Sequence, residues 1–549
     1  MKRILAFFIL LLCTSMIFAD DEEIVNNAIK QGNCAFLFNY INLKNADAVL
    51  LEKAKRTINI YSTEDTTAAQ YRTNAMHLTV NQVPLDLSKK VFAEPEKYLA
   101  DLVRFLTKDA FDNFVRIKVI HDWICYNINY DTELFFSNSN KNQDYIEVLK
   151  NKKGISSGFS ALMKEMCNLA GFDCLIIDGY AKGYGYNGSL ADTVEHVWNA
   201  VNINSKWYLV DTTWDTGFLE RKTFIKCYSS EYLFLDSRYF LYTHLPKDNS
   251  LQFFAPVVTN SQFEKEPKLE GKFFNYGFSL LDNNLSFFNE INDEFYFELK
   301  SKTPKEYMAT TLFTKNGTII QNATWLKKQA GIITPIVDVP DTIEYIARFY
   351  MQSKRDFPFS IDVQTVEETY FPKLKEAYNS NHISQEELKI FKDAFYKVPY
   401  NNKYYFLEDP FDSQKIKIVT KIFKLLYKKG TIFTEEIFSF FVKASSDYEG
   451  YGNNTLRYPF QEREFRTSAN TNLVSPITGN LKQGETYKFE VQTSEYTNFY
   501  ILLPNSVKWS KKNLQTELYE LELQIPKGLS TLSIYNTHRK ALFTFKVMP

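Results

Sequence analysis

The chain's clearest hydrophobic periodicity follows Ser157. Phe159, Leu162, Met163, Met166 and Cys167 recur at spacings of three and four, which predicts one buried face of a helix beginning at Ser156. Gly171 is placed to stop that helix, and Cys174 to Ile177 reads as a buried strand. Farther on, Val197, Val201 and Ile203 alternate with His196, Trp198 and Ala200 up to Asn204-Ser205-Lys206, and Trp207 to Val210 reads as the returning strand of a hairpin. A two-residue turn centred on Asn204-Ser205 pairs His196 with Thr213 and leaves Asp211 a diagonal neighbour of the imidazole. A turn centred on Ile203-Asn204 sets His196 and Asp211 directly opposite. Upstream, Ile117, Ile120 and Ile124 mark a helix that carries His121, which is expected to be packed or partly exposed.

The pattern changes along the chain. Residues 20–94 hold short mixed segments and stay unassigned, and residues 95–255 contain the helix and hairpin just described. From 265 to 370, alternating runs such as Glu294 to Leu299 and Ile343 to Phe349 predict a β-sandwich, and this stretch resembles immunoglobulin-like domains. Residues 371–460 read as helical. Ser384 and Glu387 form a capping box, and a second helix carries Ile418, Ile422, Leu425 and Leu426 opposite a face of lysines (Lys415, Lys417, Lys421, Lys424, Lys428) read as a solvated basic face. Residues 461–549 return to strands and predict a second sandwich. The class is α+β.

Composition narrows the possibilities. Sixty-four basic residues against 65 acidic ones give no support to nucleic-acid binding. Lys2 and Arg3 precede the apolar run Ile4 to Cys13, and small residues lead to Ala19, so residues 1–19 are expected to be a signal peptide. The protein is therefore expected to be secreted, periplasmic or extracellular, with no transmembrane span after signal removal. The five cysteines beyond that segment argue against a disulfide scaffold, and Cys167 and Cys174 are expected in the core. There is no His-Glu-x-x-His, dinucleotide-binding glycine pattern or phosphate loop, so no metal and no cofactor are expected.

The candidate chemistry lies in three segments: Lys153-Gly154-Ile155-Ser156-Ser157-Gly158-Phe159, Glu195-His196-Val197-Trp198-Asn199, and Trp207-Tyr208-Leu209-Val210-Asp211-Thr212-Thr213-Trp214-Asp215. They supply a hydroxyl at a helix start, an imidazole and a carboxylate, in the order nucleophile, base, orienter. A helix start suits a thiol better than an alcohol, because the dipole lowers a thiol pKa toward thiolate. The bland alternative for Ser156 is an N-cap whose hydroxyl satisfies a backbone N–H.

These three segments resemble the transglutaminase-like superfamily of papain-type thiol enzymes. Val115 to Ile124, Tyr232 to Asp236 and Tyr242-Thr243-His244-Leu245-Pro246 resemble its kyphoscoliosis-peptidase branch. The resemblance implies that His196 and Asp211 fall on the family's catalytic histidine and aspartate, that Ser156 falls on its cysteine, and that Ser157, Trp198 and Asn199 line the cleft. It implies a vestigial triad and a module that binds a protein or peptide in the cleft or on the β-domains. The alternative is a peptidase or acyltransferase working on peptide or amide bonds through Ser156, His196 and Asp211.

Overall fold

The structure, a computed structural model, describes residues 66–137, 143–353, 360–397, 403–406, 413–427 and 431–549 apart from six single positions, together with residues 21–31 and isolated positions up to residue 54. The expected signal peptide, Cys34 and Lys428 lie outside the described residues. The chain divides into two compact units, residues 1–263 with 362–419 and residues 264–361 with 420–549.

The first unit is built around an antiparallel sheet with helices on one face. Its elements are α1 (Pro95–Thr107), α2 (Asn113–Asn127), α3 (Ser156–Leu169), β1 (Cys174–Ala181), β2 (Glu195–Ile203), β3 (Lys206–Val210), α4 (Thr212–Thr216), β4 (Leu233–Leu235) and β5 (His244–Pro246). The sheet order is β4-β3-β2-β1-β5, every neighbouring pair antiparallel. One face packs on the helices, where Val201, Ile203 and Val210 join Ile117, Phe159, Leu162, Met163 and Met166. The opposite face carries a smaller aromatic core of Trp198, Trp207, Tyr232, Phe240 and Phe253. Both faces are covered, so β2 is almost continuously buried rather than strictly alternating.

Helix α3 forms where its periodicity predicts and ends for the expected reason. Gly171 takes a left-handed φ of +85°, and Phe172 N–H returns to the Cys167 carbonyl at 2.9 Å, a glycine-terminated C-cap. The hairpin takes the first of the two registers considered above. Ile203 pairs with Lys206, leaving Asn204 and Ser205 as the turn, with φ of +54° and +66°. Two positive φ values match a type I′ turn and the right-handed twist of the strands. Asn113 of α2 donates to the Asn204 side-chain oxygen at 3.0 Å, tying the turn to the helical layer.

The stretch 371–460, which falls partly in each unit, differs from its helical reading. Helices Phe371–Asn379, Gln385–Asp393 and Ser413–Leu426 are present, the second with its Ser384–Glu387 capping box, but Thr434–Ala444 is an 11-residue strand. It pairs with Tyr345–Gln352 and with Phe288–Ile291, completing a sheet whose other strands all precede residue 353. Its alternating Phe438, Phe440 and Val442 are buried, a period-two signal overshadowed by the helical run before it. Leu425 departs from the expected apolar face of the last helix: it is exposed, while Val419, Ile422, Phe423 and Leu426 are buried. The C-terminal strands form two further sheets. Trp325, stacked on Tyr458 and Phe465, enters the same core as Leu473, Phe489 and Phe543, so the two β-modules share buried surface. Among the described residues no helix is long and apolar enough to cross a membrane.

Because Ser205 holds a left-handed φ that costs a residue with a Cβ about 1 kcal/mol, Ser205→Gly is expected to raise stability by roughly 0.5 kcal/mol after glycine's own entropy loss. A β-branched Ser205→Val should lower it. Denaturant midpoints of the three proteins check the order.

Candidate functional site

The site is organised by Asp211, which is 1% exposed at the point where β3 gives way to α4. As the N-cap of α4 it accepts from Thr213 N–H at 2.8 Å and Trp214 N–H at 3.1 Å, both on Oδ1. Its Oδ2 faces His196 Nε2 at 2.6 Å and His244 Nε2 at 3.1 Å. Burial alone would raise the Asp211 pKa, but the two imidazoles outweigh burial and hold it well below the usual carboxylate range. Asp211 fixes the His196 ring through Nε2, so Nδ1 is the nitrogen left to face a reacting group.

His244 carries no partner recognisable from the sequence, yet it is completely buried beside the candidate base. Its Nδ1 lies 2.9 Å from Thr243 Oγ1. Phe240, Trp214, Trp198 and Tyr232 surround the ring with centroids 4.3, 4.5, 5.1 and 5.2 Å away. His244 opens β5, which pairs with β1, and Gly179 on β1 lies opposite both His196 and Pro246. A Cβ at Gly179 would meet the Trp198 ring at 2.3 Å and the Leu245 carbonyl at 2.4 Å, so only glycine lets indole and backbone approach there.

Ser156 is the first residue of α3 rather than its cap. Ile155 occupies the cap position, no side chain caps the helix, and the N-cap reading of Ser156 is replaced accordingly. Gln143 braces the approach to the helix, its Oε1 accepting from Ile155 N–H at 2.7 Å and its own N–H donating to Ser157 Oγ at 3.4 Å. A Cβ at Gly158 would meet Val148 and Gln143 at 2.5 and 2.6 Å. Ser156 and His196 are each nearly buried, at 8% and 9% exposure, and no hydrogen bond joins them. The structure thus brings His196 and Asp211 into direct contact and leaves the nucleophile-to-base link unmade. Of the other expected cleft residues, Ser157 serves the Gln143 brace. Trp198 is buried against His196 and His244, and its Nε1 finds no partner. Asn199 is also buried, donating to the Ser160 and Leu175 carbonyls at 3.1 Å each, so it straps β2 to α3 and β1.

Residues 100–212 match the family model for the transglutaminase-like superfamily. This chain carries a transglutaminase-like domain. The mouse (Mus musculus) kyphoscoliosis peptidase is 28% identical over 241 residues, 42% of this chain and 36% of that protein, and the human (Homo sapiens) one is 29% identical over 214 residues, 38% and 32%. The domain is thus of the kyphoscoliosis-peptidase-like branch, and the chain matches about a third of the length of those relatives. A solved transglutaminase from red sea bream is 10% identical, with a TM-score of 0.19 over 85% of this chain and 73% of that one, a score too low to carry an argument.

The transglutaminase-like domain also contains a second buried charge cluster, around His121, which is packed as expected. That residue is completely buried, with Nδ1 2.9 Å from Asp122 Oδ1 and Nε2 3.0 Å from Asp215 Oδ2. Only a doubly protonated ring satisfies a carboxylate on each side. Burial opposes that charge, but the Cys125 sulfur 3.5 Å away and the hydrogen bonds to Asp122 and Asp215 raise the imidazole pKa well above its ordinary value. Lys118 at 2.9 Å, Tyr228 at 2.7 Å and the His77 N–H at 2.8 Å also donate to Asp122, whose pKa is lowered because His121, Lys118 and Tyr228 outweigh burial. Asp215 additionally accepts from Ser229 and from Tyr232 N–H. The signal available in the sequence was a His-Asp pair on a helix face otherwise made of isoleucines, four residues after Lys118 in its aspartate.

The signs of these shifts fix a pH response. Asp122 and Asp211 have lowered pKa values, so their contributions are full above the unfolded value of about 3.9 and are lost as pH falls from there toward the folded values. His121 has a raised one, so its contribution is full below about 6.5 and is lost only as pH rises through the folded value. The domain is expected to lose stability steeply below about pH 4, and Asp211→Asn to flatten that acid limb, as thermal midpoints from pH 3 to 7 would read. Asp215→Ala, which strands a buried imidazolium, should cost on the order of 3–5 kcal/mol.

Proposed function

We propose that this is an exported protein whose transglutaminase-like cleft no longer catalyses and serves to bind a protein or peptide, in the cleft or on the β-modules. Export rests on the Lys2 to Ala19 segment. The observation that carries the reading is the contrast between an intact base and orienter, His196 and Asp211 at 2.6 Å, and a serine without a hydrogen bond to that ring where the resembling family has cysteine. The position of Ser156 in the first turn of α3 would favour a thiolate, since a free thiol pKa of about 8.5 can fall below 7 there. The same dipole contributes about 1 kcal/mol, up to about 2 when partly buried, and cannot ionise an alcohol.

The rival reading is a peptidase or acyltransferase with Ser156 as nucleophile, His196 as general base and Asp211 as orienter. It is favoured by the free Nδ1 of His196 and by the name of the mouse and human relatives, which are peptidases. Catalytic hydrogen bonds can be long before substrate binds, so a missing contact alone does not exclude it.

A serine-directed phosphonate followed by peptide mass mapping separates the two. The expected result is no label on Ser156, and a label that disappears in His196→Ala would replace the inactive reading with the hydrolase. Ser156→Cys is expected to create a thiol alkylated by iodoacetamide faster than a free cysteine at pH 6, because both the helix start and His196 act on it. An ordinary alkylation rate would show that the pocket no longer supports thiolate chemistry.

A further inference from the structure

The geometry points to a transition-metal site of Zn2+ type formed by His196 Nε2, His244 Nε2 and Asp211 Oδ2. The three ligand atoms lie within 4.8 Å of one another, and all three side chains are buried. Zinc bound to nitrogen and oxygen at about 2.0–2.2 Å in a tetrahedron sets its ligand atoms about 3.3 Å apart. The separations here, 2.6 Å from His196 and 3.1 Å from His244 to Asp211, fall about 0.7 and 0.2 Å short of that value, and no two of the three ligand atoms are more than 4.8 Å apart. Two imidazoles and one carboxylate are borderline donors that suit Zn2+ and Co2+, whereas Ca2+ and Mg2+ require mostly oxygen.

The surroundings hold these ligands as a metal site requires. Oδ1 of Asp211 is fixed by the Thr213 and Trp214 amides, leaving Oδ2 to turn toward the two rings. His244 is oriented through Nδ1 by the Thr243 hydroxyl, which also lies 3.3 Å from the Phe240 carbonyl. That chain works in either of two proton arrangements. Without metal, each Nε2–H donates to Asp211 and the Thr243 hydroxyl donates to Nδ1. With metal, each neutral ring carries its proton on Nδ1, His244 donates to Thr243, and Thr243 donates to Phe240, so both Nε2 lone pairs are free to coordinate. Neither ring changes its proton count. Trp198, Trp214, Tyr232 and Phe240 form an apolar wall around the site, and the His196 side chain, 11% exposed, is the route by which water can supply a fourth ligand.

Metal occupancy and the His196–Asp211 hydrogen bond exclude each other, because both use Nε2. The serine is therefore tested by phosphonate labelling of chelator-stripped protein and the metal by direct uptake, so that failure of one reading is distinguishable from failure of the other.

The full chain, stripped with a chelator, would be titrated with Zn2+ in competition with a chromogenic chelator and with Co2+ while visible absorption is followed. The expected result is one equivalent per chain with four-coordinate Co2+ bands, and at least tenfold weaker binding in His244→Gln, Asp211→Asn and His196→Gln, with His538→Gln unchanged. His196→Gln, at the rim of the cleft, carries the test if a fully buried variant loses its near-ultraviolet circular dichroism. Absence of stoichiometric uptake, or uptake undiminished in the folded variants, would overturn the assignment.

Discussion

The transglutaminase-like domain depends on one carboxylate that is almost wholly buried. Asp211 would be costly to bury as a lone anion, and the fold answers by surrounding it with four donors: two backbone amides on one oxygen and two imidazoles on the other. Each donor comes from a different structural decision. The amides are there because β3 stops at Val210 and α4 begins, His196 because the hairpin turns at Asn204-Ser205, and His244 because β5 joins the far edge of β1. The hairpin register decides how His196 and Asp211 meet: with the turn at Asn204-Ser205 the imidazole reaches Asp211 from a diagonal position.

Helix α4 transmits this constraint. Five residues are too few to be stable as an isolated helix, and its stability must come from what anchors its ends. Asp211 caps its first turn and binds His196 and His244. Asp215, four residues on, binds His121, with the Asp215 N–H donating to the Asp211 carbonyl at 3.1 Å. The two buried charge clusters are therefore joined through one short helix, and α2 reaches the candidate site through it.

What could be read from the sequence was what is local and periodic. The α3 face, its stop at Gly171 and the pairing of His196 with Asp211 follow from spacing, and hairpin arithmetic narrowed the register to two choices that the left-handed pair Asn204 and Ser205 resolved. The contacts of His244 with Asp211 and of His121 with Asp215 were not legible, because the partners lie 33 and 94 residues apart and meet only through the order of strands and helices. The strap that Asn199 makes to α3 was hidden for a related reason: in a strand covered on both sides, motif position does not reveal which face a side chain takes. The strand Thr434–Ala444 was hidden because the helices before it set the expected period, while its pairing partners precede residue 353.

The persistence of His196 and Asp211 beside a serine then has an explanation that does not involve catalysis. Removing either leaves a buried charge or an empty ring pocket, and breaking a buried pair costs several kcal/mol. A chain that had given up its chemistry would still have to keep them in order to fold. Ser156 has no such duty: it caps nothing, bonds to neither member of the pair, and can change between sulfur and oxygen with little effect on packing. The retained base and orienter therefore say little about activity, and the question of activity rests on the single atom at Ser156 that the fold does not need.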